Sequence, residues 1–302
     1  MPDFGGTQFE TDDDIRSALI GLTKPVPVVP IPPPMAIPIP AVYAPPPAAP
    51  KAPVAAAIPA PASRSLPPGM KSFRPTVRPP MAYLTVCDDG SADGEILRLR
   101  DATFTIGRTD GDLIIPHDPL ISGRHLEIAR RQIDGKHKWV FTDLESSNGL
   151  FVRVSRVQLT DRSEFLVGQG RYRFEMPEAE PASAPPSDTG STMGYAEAAP
   201  FVAVPRLIEM IPGRAGTETP LLRAEYWIGS DAACTIARPD DPYCHPKHCR
   251  IFRQPNGAWM AEHPKTLNGL WIRLPSVTAA DTVQFQIGEQ RFKFRVDIGK
   301  SE

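Results

Sequence analysis

Arg108, Ser122 and Ser147 stand in three separate polar stretches of the sequence, TIGRTDGD, LISGRHLE and LESSNGLF. A phosphate dianion is held by a forked cation and several hydrogen-bond donors on a rigid frame. One guanidinium and two hydroxyls supply that set if the three stretches meet. Asn148 adds an amide that both donates and accepts, which suits it to hold the backbone of an extended peptide. Asn148-Gly149 is equally a hairpin-turn signal, and Gly107 can serve only a tight backbone position. His125, a lone imidazole beside these residues, reads as a buried scaffold residue ordering its loop by hydrogen bonds rather than as a catalytic base.

The elements that must position these residues begin at Met81. Short runs of period two, AYLTV, EILRLR, TFTIG, HLEIA, KWVFTD, EFLVG and RYRFE, alternate with turn residues, and no long helical period appears. This texture predicts an all-β sandwich or barrel. Loops at one end of a sandwich converge, which brings Arg108, Ser122 and Ser147 within reach of one phosphate. The first domain spans 81–178, and 179–199 reads as a linker by composition. From Pro200 the texture returns with an internal repeat over 200–297. Asn148-Gly149-Leu150-Phe151-Val152-Arg153 reappears 120 residues on as Asn268-Gly269-Leu270-Trp271-Ile272-Arg273, and Trp139 matches Trp259 at the same offset.

In order, Gly107-Arg108, Ser122-Gly123-Arg124-His125, Trp139 before Asp143, and Ser147-Asn148-Gly149 resemble the forkhead-associated (FHA) domain over roughly residues 82–176. The resemblance implies a two-sheet β sandwich whose loops at one end bind phosphothreonine peptides. It implies that Arg108 and Ser122 contact the phosphate, that Ser147 lies beside it, and that Asn148 fixes the peptide. Gly123 departs from the family, which often has Arg or Asn there to assist binding. Arg124 either compensates by reaching round the loop or is turned away by strand alternation. Gly107, His125 and Gly149 are the structural members of the set.

The second copy keeps the frame without the phosphate chemistry. Ser230 stands at the Arg108 position, His245 at Ser122 and Leu267 at Ser147, while Asn268-Gly269 and His248 survive. A dianion there has no charge partner, so 200–297 reads as a degenerate FHA-like domain for docking, dimerisation or phosphate-independent binding. Cys244, His245, His248 and Cys249, with Cys234, supply enough soft ligands for zinc, but the spacing lacks paired C-x2–4-C or H-x3–5-H. Buried thiols acting as small apolar residues fit better, and neither a metal nor a cofactor is expected.

The chain has 302 residues and 37 prolines. Twenty-one of those prolines fall within residues 1–80, so cores are confined to the rest. Lys24 to Pro80 reads as a disordered, semi-rigid Pro/Ala tether. Before it, Asp12, Asp13 and Asp14 precede Ile15, Ala18, Leu19 and Leu22, the pattern of a short N-capped helix within an acidic segment over 1–23. Thr7 and Thr11 in that segment are candidates for phosphorylation, with Asp14 at the third position after Thr11.

A net charge of −2 argues against nucleic-acid binding. Four cysteines and no leader pattern point to a reducing cytosol, and prolines interrupt the most apolar stretch, so no membrane span is expected. The absence of a Gly-rich phosphate loop, a GxSxG elbow or a paired-His motif argues against an enzyme. The expected function is a cytoplasmic, bacterial phosphothreonine adaptor acting with a Ser/Thr protein kinase. Similar proteins serve kinase signalling, including control of secretion machines such as the type VI system. Self-association through the N-terminal segment or the second domain is a further expectation. The rival reading is a phosphate-independent scaffold that assembles a complex constitutively.

Overall fold

A computed structural model describes residues 7–10, 81–87, 94–177, 204–279 and 281–297. The tether at 24–80, the linker at 179–199, the helix expected near 12–23, and Thr11 lie outside the described residues.

The described residues are all-β, in twenty strands. In chain order these are β1 (Gln8–Phe9), β2 (Met81–Cys87), β3 (Glu95–Leu99), β4 (Thr103–Gly107), β5 (Leu113–Ile114), β6 (Leu126–Ile133), β7 (Lys136–Asp143), β8 (Leu150–Leu159), β9 (Glu164–Val167) and β10 (Gly170–Glu175). The second repeat contributes β11 (Arg206–Glu209), β12 (Glu218–Pro220), β13 (Glu225–Gly229), β14 (Ile236–Ala237), β15 (Cys249–Arg253), β16 (Trp259–Glu262), β17 (Leu270–Leu274), β18 (Ser276–Ala279), β19 (Thr282–Ile287) and β20 (Gln290–Asp297). The period of two seen in sequence is the burial pattern of these strands. β2 alternates buried Ala82, Leu84 and Val86 with half-buried neighbours, and β10 does the same with Tyr172 and Phe174.

The repeats follow one another in sequence but are interleaved in space. Two consecutive sandwiches over 81–178 and 200–297 would pair strands within each repeat. Instead β2 pairs with β20 along its whole length, β18 with β7, and β19 with β8. Reciprocally, β10 pairs with β11, β8 with β16, and β9 with β17. Each sandwich therefore takes its last hairpin from the other repeat. β9–β10 completes the sandwich holding β11 to β16, and β19–β20 completes the one holding β2 to β7.

β8 carries the crossover. Its sequence, LFVRVSRVQL, contains no Gly, Pro, Asn or Asp, so nothing turns the chain back at residues 154–156 and the strand runs straight into the other sandwich. In the second repeat Pro275 interrupts the ladder between β17 and β18 without reversing the chain.

The cores record the exchange. Trp139 packs edge-on against Phe294 at 5.5 Å, and Phe141 against Phe285 and Phe294 at 5.2 and 4.9 Å. Across the molecule Trp259 meets Phe174 at 6.2 Å, the equivalent pair with the repeats reversed. These aromatic rings are buried, and burial of one such side chain is worth about 1.5–3 kcal/mol.

Candidate functional site

The loop after β4, the loop before β6 and the loop after β7 meet at one end of the first sandwich. The Arg108 N–H donates to the Ser122 carbonyl at 2.9 Å, and the Thr109 and Asp110 N–H groups donate to the Gly123 carbonyl at 3.1 and 2.9 Å. The Ser147 N–H donates to Ser122 Oγ at 3.1 Å. Arg108, Ser122 and Ser147, far apart in sequence, are thus tied together by direct hydrogen bonds. Ser122 Oγ accepts in this network, which leaves its own proton for an incoming oxygen. The Arg108 side chain is exposed and forms no ion pair with any described residue. An exposed guanidinium, without an ion pair among the described residues, on a loop bonded to the loops of two serines is an arrangement able to receive an anion.

Gly107 makes the close approach possible. A Cβ there would lie 2.2 Å from the Gly123 carbonyl oxygen and 2.3 Å from that of Asp110. Asn148 donates its Nδ2 proton to the Leu120 carbonyl at 2.8 Å, so one end of its amide braces the loop before β6. Gly149 follows with a φ of 86°, a conformation that favours glycine. Gly123 contributes its carbonyl to the loop network, and Arg124 is exposed, with no described contact to Arg108, Ser122 or Ser147.

His125 is fully buried beneath these loops. The Ser122 N–H donates to its Nδ1 at 3.1 Å, and its Nε2 lies 3.2 Å from the Gly149 carbonyl. A backbone N–H can only donate and a carbonyl can only accept, so the imidazole is the neutral Nε2–H tautomer. Burial lowers its pKa below the ordinary 6.5, with the Gly149 bond and Asp143 opposing. The ring has no exposed nitrogen with which to act as a base.

Two holders of the site were not singled out from sequence. Ser146 Oγ donates to Asp143 Oδ1 at 2.5 Å and accepts the Gly149 N–H at 2.9 Å, which closes the loop carrying Ser147. Asp118 accepts the Leu120 N–H at 2.8 Å and, from the exchanged hairpin, the Glu289 N–H at 2.7 Å. Asp118-Pro119 is a turn-starting pair whose signal was available. The partner from the other repeat was not.

The second sandwich repeats the backbone of the site with other side chains. The Ser230 N–H donates to the His245 carbonyl at 3.0 Å, as Arg108 does to Ser122. Asn268 donates to the Tyr243 carbonyl at 2.9 Å, and His248 bridges the His245 N–H and the Gly269 carbonyl at 3.0 and 2.9 Å. Burial lowers the His248 pKa to about 4. At the site itself stand Ser230 and the exposed Leu267 and Tyr243, while the Lys247 ammonium lies over the Trp227 ring, 5.5 Å from its centroid.

The nearby thiols are apolar fillers. Burial pushes Cys244 up to about 11 and raises Cys234 and Cys249, and Cys234 Sγ lies 3.1 Å from the Pro246 carbonyl. Among the described residues no group of His, Cys, Asp and Glu is arranged to hold a metal ion. No helix among them is long and apolar enough to cross a membrane.

Comparison with known proteins points to one family in both repeats. The FHA domain family model matches residues 104–168 and 226–290, one segment in each repeat. Among solved structures the chain is similar to full-length yeast Pml1p, with 22% identity over 28% of this chain and 75% of that one, at a TM-score of 0.23. It is also similar to a protein solved in a structural and functional analysis of phosphothreonine-dependent FHA domain interactions, with 38% identity over 24% of this chain and 68% of that one, at a TM-score of 0.19. A third similarity is to Mycobacterium tuberculosis EmbR in complex with a low-affinity phosphopeptide, with 28% identity over 32% of this chain and 24% of EmbR, at a TM-score of 0.20. Among curated proteins none matches.

Proposed function

We propose that this chain, which carries two FHA domains in tandem, is a non-enzymatic adaptor whose first domain binds phosphothreonine peptides through Arg108, Ser122 and Ser147, with Asn148 holding the peptide. The observation that supports this most directly is the exposed Arg108 guanidinium, without an ion pair among the described residues, tied by its backbone to Ser122, whose hydroxyl in turn holds Ser147. EmbR, a similar protein, was solved with a phosphopeptide. A phosphothreonine reader implies a Ser/Thr protein kinase upstream. Four free thiols suit a reducing cytoplasm. Bacterial kinase signalling, including control of a type VI secretion machine, is the setting this reading places it in. Gly123 and Arg124 belong to the peptide-facing loop, and Gly107, His125 and Gly149 hold its shape.

In the same reading the second domain docks partners without phosphate, because Ser230, His245 and Leu267 offer a dianion no cation. Thr11, once phosphorylated, is a ligand for the Arg108 site of its own or a neighbouring chain, with Thr7 the alternative acceptor. Titration of the full chain with a threonine peptide, phosphorylated and unphosphorylated, tests the proposal. Preference for the phosphorylated form, lost in Arg108→Ala, supports it. Equal binding of both forms favours the rival scaffold reading, to which the interleaved β8 and β20 lend a rigid platform.

A further inference from the structure

Glu10 is a carboxylate with a side chain only 1% exposed, carried into the middle of the molecule by a two-residue strand. β1 lies antiparallel to β8 at the crossover, with Gln8 opposite Arg156 and Phe9 opposite Val154. Ser155 Oγ donates to the Gln8 carbonyl at 3.1 Å. One oxygen of Glu10 accepts from Arg153 Nε, and the other lies 2.6 Å from His263 Nε2. Buried carboxylates persist only where cations and donors replace water, and these two residues come from different repeats.

Both partners lead to the second domain's recognition loop. Arg153 Nη2 donates to the Thr266 carbonyl at 3.0 Å. His263 Nδ1 accepts the Thr266 N–H at 3.0 Å, which leaves the ring proton to Nε2, the nitrogen close to Glu10 but not aligned with it as a hydrogen-bond donor. The first domain handles the same position differently. There Asp143, equivalent to His263, holds Ser146, equivalent to Thr266, with its own carboxylate. The first loop is held by an acid of its own repeat, and the second by an acid brought from the N-terminal segment.

Among the described residues the equivalent groove on the other side is open. A cavity of about 380 Å³ is lined there by Asp143, Glu164, Arg273, Leu274 and Pro275, where the filled groove has His263, Gln284, Arg153, Val154 and Ser155. Asp143 and Glu164 repel an acidic strand, and Glu164 already pairs with Arg273 at 3.3 Å. Charge explains why only one of two similar grooves holds the segment.

We infer that the crossover between the repeats is a second binding site, independent of phosphate, for an extended segment with a glutamate anchor, filled here by residues 7–10, and that its occupancy sets the loop at 263–269 in the second domain. The site is separate from Arg108 and does not depend on the phosphothreonine reading.

The test uses the full chain. Glu10→Arg sets a cation against Arg153 and expels the segment. A labelled peptide of residues 5–13 should bind this variant at least roughly tenfold tighter than wild type, whose groove is filled, and Glu10→Gln in the peptide should remove that binding. Amide exchange at Thr266 and Gly269 should quicken in the variant and slow again when peptide is added. If Glu10→Arg does not fold, Glu10→Gln in the full chain must still quicken exchange at Thr266 with the sheet intact by circular dichroism. Peptide that binds wild type and variant alike, or neither, overturns the site. Exchange at Thr266 unchanged in the folded variant overturns the coupling.

Discussion

Val152 and Ile272 face each other across the ladder between β8 and β17, and they are the same position of the two repeats, 120 residues apart. An antiparallel pair of equivalent residues places a pseudo-two-fold axis between them, and the exchanged strand pairings obey it. Gln169 N–H donates to Asp241 at 2.8 Å while Glu289 N–H donates to Asp118 at 2.7 Å. Arg273 occupies the space a Cβ on Gly149 would need, and Arg153 the space a Cβ on Gly269 would need. This is the geometry of an isologous, strand-exchanged dimer written into one chain. Each recognition loop therefore rests on an arginine from the other repeat.

Arg108→Ala should weaken phosphothreonine-peptide binding by about 2–4 kcal/mol, the range for truncating one partner of a desolvated charge pair. Arg108→Lys should recover part of this, because an ammonium cannot bond bidentately. Isothermal titration of the full chain checks both. Wild-type affinity in Arg108→Ala would remove the assignment.

Ser230→Arg, made in the Arg108→Ala background, should not restore phosphopeptide binding. The backbone at Ser230 superposes in its hydrogen bonding on that at Arg108, so the new guanidinium would arrive in place. His245 and the exposed Leu267 still provide no hydroxyl where Ser122 and Ser147 stand. Fluorescence anisotropy with the same peptide reads the result, and recovered affinity would show that a cation alone suffices.

His248 makes stability fall in mild acid. Unfolded, its imidazole takes up a proton near the ordinary 6.5; folded, only near 4. Between those values the unfolded chain binds more protons, so this contribution is complete above about pH 6.5, shrinks as pH falls, and is fully lost below about pH 4, a change on the order of 3 kcal/mol. His125 acts in the same direction. Urea midpoints measured between pH 7 and 5 should drop in wild type and drop less in His248→Gln. An identical slope in both would show that other groups carry it.

The β class, the repeat and the meeting of the loops that carry Arg108, Ser122 and Ser147 were legible because each leaves a local mark: alternation in β2 and β10, the recurrence of Asn-Gly, the order Gly107-Arg108 to Asn148. The exchange leaves none, since Phe285 and Phe294 alternate identically whichever sandwich receives them. Its single trace is negative, the missing turn within β8. Glu10 was hidden for a related reason. In an acidic run one carboxylate looks like the next, and only the pairing of Gln8 and Phe9 with β8 distinguishes it.

That missing turn carries the last prediction. A fragment of residues 81–178 contains β2 to β10 and lacks β18 to β20, so Trp139 and Phe141 lose Phe285 and Phe294, each worth about 1.5–3 kcal/mol of burial. Its own Phe165, Tyr172 and Phe174 are the equivalent residues, but to reach Trp139 of the same copy the chain must bend at Val154-Ser155-Arg156, a stretch without Gly, Pro, Asn or Asp. A second copy of the fragment offers the same hairpin with β8 straight. The fragment should therefore sediment as a dimer, and replacing Ser155-Arg156 by Asn-Gly, the strongest two-residue turn signal, should shift it toward monomer. A well-folded monomer of the unaltered fragment would show that β8 bends freely and that something other than the hinge sequence sets the exchange.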